Sequence, residues 1–506
     1  MVKFQAILLS VLLVLSSAYL SASKAKKIEE NRADRFQLRI QGVKSHDKKS
    51  KFKTLYDKKL KRVRYFGDQV IVRFKANTKN STIKKYMLKN NLQPILKIGK
   101  RAYSCKLVNS DELMKLLVSE GKSPEDISGI EREEDEALVE MDIDEYRDVL
   151  TNGKRGKGKG RSRGPQLLST EWHLKNTGEA GALEGADINV EDAWSFSQGL
   201  GITVAVIDTG FDLNHKDINY YSQGYDISKD QTGAEAPMRS SENHGTAVAG
   251  IIAALDDDKG AVGVAPKSQI IPIRLITEDG LVSVSQIIAA HQKAVELGAD
   301  IINNSWGSFD PTLPDGDSLN LTSMEEDLYK ELEEEANDGR GVVVIFAAGN
   351  SGKSNFNNAP EARNPYTLSI GATNSKDERS SYSIYGSELD LVAPGGDSSA
   401  GIFTTDRNDL KVKKNGKRKR YVLGYNKGNL ATHFTGTSAA APVVSGVAAL
   451  VWSINPSLTA KQVKEILRLS ARRDLNAKYK FTNGKNSEIG CGIVDAGAAV
   501  RLAMTY

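Results

Sequence analysis

The sequence predicts an α/β protein built on a doubly wound parallel sheet, preceded by a small α+β domain. Three observations predict it. From Trp172 onward, short apolar runs alternate with helical stretches. Strands apolar on both faces belong to a parallel sheet covered by helices on both sides. Residues 66–148 instead read strand–helix–strand–helix–strand, the pattern of a compact α+β unit. Between the two lies Gly-Lys-Arg-Gly-Lys-Gly-Lys-Gly-Arg-Ser-Arg-Gly at 153–164, which cannot pack a core and reads as a linker. A chain of 506 residues has room for two or three such units, and 40% apolar with 26% charged residues excludes wholesale disorder and a multi-span membrane protein.

Taken in order, residues 1–23 read as an export signal. Lys3 gives a positive start, Ala6–Leu15 is apolar except for Ser10, and the small residues Ser21-Ala22-Ser23 follow. The apolar stretch is short for a membrane span, so secretion is expected, to an extracellular or periplasmic destination, with no stable membrane anchor. Residues 24–65 are Lys-rich without apolar periodicity and read as a flexible basic lead-in. In the 66–148 unit, 69–74, 103–108 and 137–141 read as strands, and 82–90 and 110–120 as helices. Residues 149–165 form the basic linker, an exposed connector without an aromatic residue for stacking bases. In the 166–506 unit, 202–207, 270–275, 301–302, 342–347 and 389–392 read as strands. Residues 245–255, 283–297, 324–337, 439–453 and 460–471 read as helices. The basic stretch 407–420 reads as an exposed hairpin turning at Asn415-Gly416.

Net charge is +5, but it is unevenly placed. Residues 24–165 hold 36 Lys/Arg against 21 Asp/Glu, and residues 166–506 hold 32 against 43. A basic front on an acidic body argues against a nucleic-acid partner and for attraction between the two halves. Two cysteines, Cys105 and Cys491, build no disulfide framework.

Three motifs carry chemistry. Asp208 ends the apolar run 202–207 and precedes Thr209-Gly210. His244 lies in Asn243-His244-Gly245-Thr246, and Ser438 in Gly436-Thr437-Ser438-Ala439-Ala440-Ala441-Pro442, each opening a helix. Singly, an Asp at a strand end or a Ser before a helix is a common cap. Together they are the parts of a nucleophile, a base and an orienting carboxylate, gathered where a doubly wound sheet collects ligands. The order Asp…His…Ser is that of subtilisin among the known triads.

On these motifs, residues 165–506 resemble the subtilisin-like serine protease family. The resemblance implies a subtilisin-like fold and peptide-bond hydrolysis, with Asp208, His244 and Ser438 as triad. Ala347-Ala348-Gly349-Asn350 looks like the oxyanion-hole motif, which makes Asn350 catalytic beside the Ser438 backbone N–H. Ser305-Trp306-Gly307 resembles the strand that pairs with an extended substrate. Asp310 matches an acidic S1 residue of the proprotein-convertase branch, while the branch's other acidic position falls near Ala359, with Glu361 close by. Gly490-Cys491-Gly492-Ile493-Val494-Asp495-Ala496 looks like the family's closing segment and gives Cys491 a structural place. The resemblance further implies a Ca²⁺ site, held by the Asp217 and Asp257 side chains and the Leu255, Lys259 and Ala261 carbonyls. The family's N-terminal ligand has no clear counterpart in the sequence. Domain 66–148 takes the place of the inhibitory propeptide, so the expectation is a self-processing precursor and a monomeric peptidase acting on polypeptides. The alternatives are a processing protease with basic-site preference and a catalytically silent binding member of the family.

Overall fold

The computed structural model describes residues 171–506, except 238–241, 258, 310–317, 355, 357–358, 415–416, 422–423, 427 and 476–478, together with five strand segments before residue 171. The chain divides into two compact units. The first holds Met1–Arg147 with the short segments Ser283–Ala289 and Asp310–Asp317, and the second holds the remainder.

In the first unit the described elements are β1 (Lys53–Asp57), β2 (Arg62–Phe74), β3 (Leu92–Ile98), β4 (Ala102–Leu107) and β5 (Leu138–Leu150). They form an antiparallel sheet in the order β5-β2-β4-β3, with β1 also on β2. The expected strands at 69–74, 103–108 and 137–141 fall on β2, β4 and β5. Strands β1 and β3 are additions to the sequence reading. β1 and the start of β2 lie inside 24–65, which composition alone marked as lead-in; ladder pairing supplies the order that local periodicity does not show. The helices expected at 82–90 and 110–120, the export signal and most of the linker lie outside the described residues.

The second unit carries β6 (Thr203–Asp208), β7 (Tyr225–Asp226), β8 (Gln231–Thr232), β9 (Gln269–Arg274), β10 (Leu281–Ser283), β11 (Ile301–Asn304), β12 (Gly307–Phe309), β13 (Val343–Ala347), β14 (Leu368–Thr373), β15 (Leu391–Pro394), β16 (Ile402–Thr405), β17 (Leu410–Lys414), β18 (Lys417–Tyr421) and β19 (Leu430–Phe434). Its helices are α1 (Val190–Trp194), α2 (His244–Ala253), α3 (Val284–Glu296, of which 284–289 count with the first unit), α4 (Ser323–Glu334), α5 (Thr437–Ile454), α6 (Ala460–Leu469) and α7 (Ala496–Ala503). The central sheet runs β15-β14-β13-β11-β6-β9-β7-β8. All its pairs are parallel except β7 with β8. All residues of β11, β13, β14 and β15 are buried, which accounts for their unbroken apolar runs. β14, Leu-Ser-Ile-Gly-Ala-Thr, escaped the sequence reading because its small residues dilute the apolar signal.

Helices α4 and α6 begin at full capping boxes, Thr322 with Glu325 and Thr459 with Gln462. Helix α5 is buried from Thr437 through Trp452 and packs on β11, β13, β14 and β15. Among the described residues it alone is long and apolar enough to cross a membrane, yet 89% of it is buried inside the protein, and core packing explains its composition. The expected hairpin is present as β17 and β18, paired antiparallel with Lys414 opposite Lys417. That register leaves a two-residue connection at 415–416.

Candidate active site

The chain lays down β6, places β9 on one side of it, then returns to place β11 on the other. The reversal makes the carboxyl ends of β6 and β11 the switch point of the sheet, where a crevice forms. β6 ends on Asp208, and β11 leads into Ser305-Trp306-Gly307.

Asp208 is fully buried and His244 is 3% exposed. The imidazole Nδ1 lies 2.8 and 3.0 Å from the two carboxylate oxygens of Asp208. One of those oxygens also accepts the Thr209 N–H at 2.7 Å. A Cβ on Gly245 would stand 2.9 Å from both the Phe211 ring and the Thr209 carbonyl oxygen, so glycine after His244 lets α2 approach the Asp208 loop. The His244 ring meets Phe434 edge-on at 5.3 Å, and its Nε2 is buried without a hydrogen-bond partner.

Ser438 is joined to Ser305 in both directions. Its Oγ donates to the Ser305 carbonyl at 2.9 Å, and the Ser305 hydroxyl donates to the Ser438 carbonyl at 3.0 Å. The second bond follows from sequence: Pro442, four residues on in α5, has no N–H for the Ser438 carbonyl, and Ser305 supplies the donor. Asn303 donates to the Ser305 hydroxyl and accepts from Ser445, which locks the β11 end onto α5. The structure thus brings Asp208 and His244 together and places Ser438 on Ser305; no hydrogen bond joins Ser438 Oγ to His244.

The Asn350 amide has a defined orientation. Its oxygen accepts from the Thr437 N–H at 2.9 Å and from the Thr437 hydroxyl at 3.0 Å, which leaves the NH₂ group to face the other way. Ser438 sits in the first turn of α5, where backbone N–H groups lack intrahelical acceptors. The Asn350 NH₂ and the Ser438 N–H are the donors expected from the sequence, and the structure gives the Asn350 amide a fixed orientation at the head of α5.

Of the residues expected to bind substrate, Ser305 follows β11 and bonds to Ser438, and Gly307 opens β12. Trp306 does not offer its side chain. It is 1% exposed, packs on His291 and Phe346, and donates its indole N–H to the Ile207 carbonyl at 2.7 Å. Asp310 lies outside the described residues. Glu361, noted in the sequence only for its proximity to Ala359, is fully buried and accepts from the Ser308 N–H at 3.3 Å and from the Ser308 hydroxyl.

The 255–261 segment, for which the resemblance implied a Ca²⁺ site, closes on Asp217. The Ala261 N–H donates to the Asp217 carboxylate at 2.9 Å, and the Leu255 N–H to the Asp217 carbonyl at 3.0 Å. Asp257 and Lys259 stay at the rim, with the Lys259 N–H donating to the Asp257 carboxylate at 3.2 Å. The structure adds Glu171, which the sequence reading missed. It is fully buried, one oxygen accepts the Val262 N–H at 3.0 Å, and the other has no partner. Burial pushes its carboxyl up to about 8, aided by Asp217 and Asp256; burial and Asp257 push Asp217 up to about 7. No spacing rule marked Glu171, since 46 residues separate it from Asp217. Among the described residues no three His, Cys, Asp or Glu side chains cluster as metal ligands, so any cation here would draw on carbonyls as well.

Cys491 is 7% exposed, and burial pushes its thiol up. Iodoacetamide at pH 8 is therefore expected to leave native protein unmodified at Cys491 and to label it fully after unfolding, read by peptide mass. Equal labelling rates in the two states would show the thiol to be accessible.

The family model for the subtilase family matches residues 199–492. A calcium-dependent protease from Nostoc sp. is 34% identical over 363 residues, covering 67% of this chain and 52% of its own length. Subtilisin from Bacillus pumilus is 32% identical over 275 residues, covering 54% of this chain and 84% of its own. The crystal structure of fervidolysin from Fervidobacterium pennivorans, a keratinolytic enzyme related to subtilisin, has a TM-score of 0.59 at 21% identity, covering 92% of this chain and 63% of that one, and shows the shared fold. The chain spans about half the length of the calcium-dependent proteases it matches. With a parallel sheet that reverses at Asp208, His244 at the head of one helix and Ser438 at the head of another, the chain belongs to the subtilase family.

Proposed function

We propose that the protein is a serine endopeptidase made as a secreted, self-processing precursor. The observation that carries the reading is the buried Asp208–His244 pair at the switch point, with Ser438 and the oriented Asn350 amide at the head of α5. Ser438 Oγ attacks the scissile carbonyl carbon while His244 Nε2 takes its proton; Asp208 holds the ring by Nδ1 and stabilises the imidazolium. Asn350 NH₂ and the Ser438 N–H bind the oxyanion. Collapse expels the amine, which leaves with the proton from His244, and water repeats the sequence on the acyl-enzyme. At rest the nucleophile is parked on the Ser305 carbonyl. A substrate strand pairing with Ser305 brings an N–H to that same carbonyl, so substrate competes for the acceptor that holds Ser438 away from His244. Apo sites are often looser than the loaded ones. Fluorophosphonate labelling tests the reading: mature wild-type protein should be labelled at Ser438, and folded protein that resists labelling would overturn it.

The cradle formed by Glu171, Asp217 and the 255–261 loop fits Ca²⁺. Two buried carboxylates, one oxygen unpartnered, are costly to ionise by themselves and favourable beside a hard dication. Glu171 and Asp217 with the Leu255, Lys259 and Ala261 carbonyls would hold the ion, with Asp257 at the rim, and the ion's contribution is stability. At a free concentration of about 100 times Kd it adds roughly 2.7 kcal/mol. EGTA is expected to lower the wild-type Tm by several degrees and that of Glu171→Ala much less. An EGTA-insensitive wild-type Tm would remove calcium from the account.

A further inference from the structure

Beneath the Asp208–His244 pair lies an ion pair that the chemistry above does not use. Arg274 ends β9, directly opposite Asp208 in the β6–β9 register. Its side chain is 4% exposed and grips Glu242 through both arms, Nε to one carboxylate oxygen at 2.6 Å and Nη2 to the other at 2.6 Å. The remaining nitrogen, Nη1, donates to both Asp226 oxygens, at 2.9 and 3.1 Å, and to the Ser228 hydroxyl at 2.7 Å. Burial works against the guanidinium's charge, but Glu242 and Asp226 outweigh it and raise its pKa.

The partners of Glu242 give the pair its significance. One carboxylate oxygen accepts the Gly210 N–H at 3.0 Å, two residues after Asp208. Glu242 itself lies two residues before His244. A Cβ on Gly210 would stand 2.8 Å from that oxygen and 2.4 Å from the Ala236 Cα, so the carboxylate lies flush against the backbone leaving Asp208. On the Arg274 side, the next two N–H groups of the chain, Leu275 and Ile276, donate to the Asp208 carbonyl at 2.9 and 3.1 Å. A second buried guanidinium, Arg407, donates to the Glu242, Ala236 and Pro237 carbonyls and holds the same segment from another side.

A buried ion pair is a poor source of stability, because desolvation of two charges consumes most of the attraction and apolar replacements are often neutral or better. What a bidentate guanidinium–carboxylate pair supplies well is fixed geometry. We propose that Arg274 and Glu242 are positioning residues for the Asp208–His244 pair, a clamp that sets the distance between the backbone leaving Asp208 and the backbone entering His244. The proposal rests on the serine-endopeptidase reading and adds to it two residues outside the family motifs quoted above.

The test uses mature protein, a chromogenic peptide nitroanilide and a fluorophosphonate. Arg274→Lys keeps the charge and loses the fork; Glu242→Gln keeps the shape and an acceptor for Gly210 and loses the charge. Each is expected to lower kcat and the labelling rate by roughly 10- to 100-fold, the scale of an ångström-sized misplacement, with KM within about twofold. The double variant Arg274→Met with Glu242→Leu removes both charges and leaves Asp226 to Lys229 and the Ser228 hydroxyl, so it is expected to melt nearer the wild-type temperature than a variant that loses one charge of the pair, while kcat stays low. A purely structural pair predicts the opposite: kcat returning with Tm in the double variant, or single-variant losses that track Tm. Should the double variant not fold, Glu242→Gln decides by the same comparison of kcat with Tm. Wild-type protein that resists the fluorophosphonate defeats the endopeptidase reading; wild type and variants labelled at equal rates defeat the clamp alone.

Discussion

Ser438→Ala is expected to abolish proteolysis, lowering kcat roughly 10⁶-fold, the scale known for subtilisin's own nucleophile rather than one derived from this geometry. The structure indicates why the loss is specific. Ser438 Oγ donates to the Ser305 carbonyl, and the reciprocal bond from the Ser305 hydroxyl ends on the Ser438 backbone, which alanine retains. Helix α5 starts at Thr437, and its first-turn contacts to Asn350 come from Thr437 rather than Ser438. The variant is therefore expected to fold with a Tm within a few degrees of wild type. Two readouts follow. A casein assay reports hydrolysis, and gel mobility of the purified product reports maturation, because the proposed self-processing precursor would stay at precursor length without its nucleophile. Hydrolysis surviving in pure Ser438→Ala protein would remove Ser438 from the mechanism. Normal maturation with hydrolysis lost would assign processing to another protease.

Asn350→Asp is expected to lower kcat about 10²- to 10³-fold, roughly 3–4 kcal/mol of transition-state stabilisation, with KM nearly unchanged. That magnitude is the one known for the corresponding subtilisin donor; the choice of aspartate comes from this structure. An aspartate side chain preserves an acceptor for the Thr437 N–H and hydroxyl and so keeps the local packing. It replaces the NH₂ group with an oxygen that repels a developing oxyanion. Asn350→Ala removes the acceptor too and loosens the start of α5, so its loss mixes positioning with electrostatics. Equal kcat in Asn350→Asp and wild type would show that the amide does not meet the oxyanion.

Much of the second unit is readable before folding. Runs such as Ile202–Ile207 and Val342–Ala347 announce buried strands because parallel sheet strands must be apolar on both sides. The hairpin at 410–421 is legible from Asn415-Gly416 between basic strands. Less legible are elements whose order comes from partners. β14 has too few large apolar side chains to stand out, and β1 and β3 gain their extended form from a neighbouring strand. Trp306 shows a different limit: the motif marked 305–307 as a candidate substrate strand, and burial against His291 and Phe346 assigned the indole to the core.

By itself the sequence marked the candidate reacting groups and their setting. Asp208 at a strand end, and His244 and Ser438 at helix starts, are marked by residues within a few positions of each, since strand and helix periods and helix caps are short-range effects. The tertiary structure alone decided which distant groups meet. Ser305 meets Ser438 across 133 residues, Arg274 meets Glu242 across 32, and Glu171 meets Val262 across 91. None of these has a local signature, because a carboxylate on a solvated turn and one buried as a ligand or a clamp are spelled alike. What separates them is desolvation and the partner across the fold, and both exist only once the chain has closed.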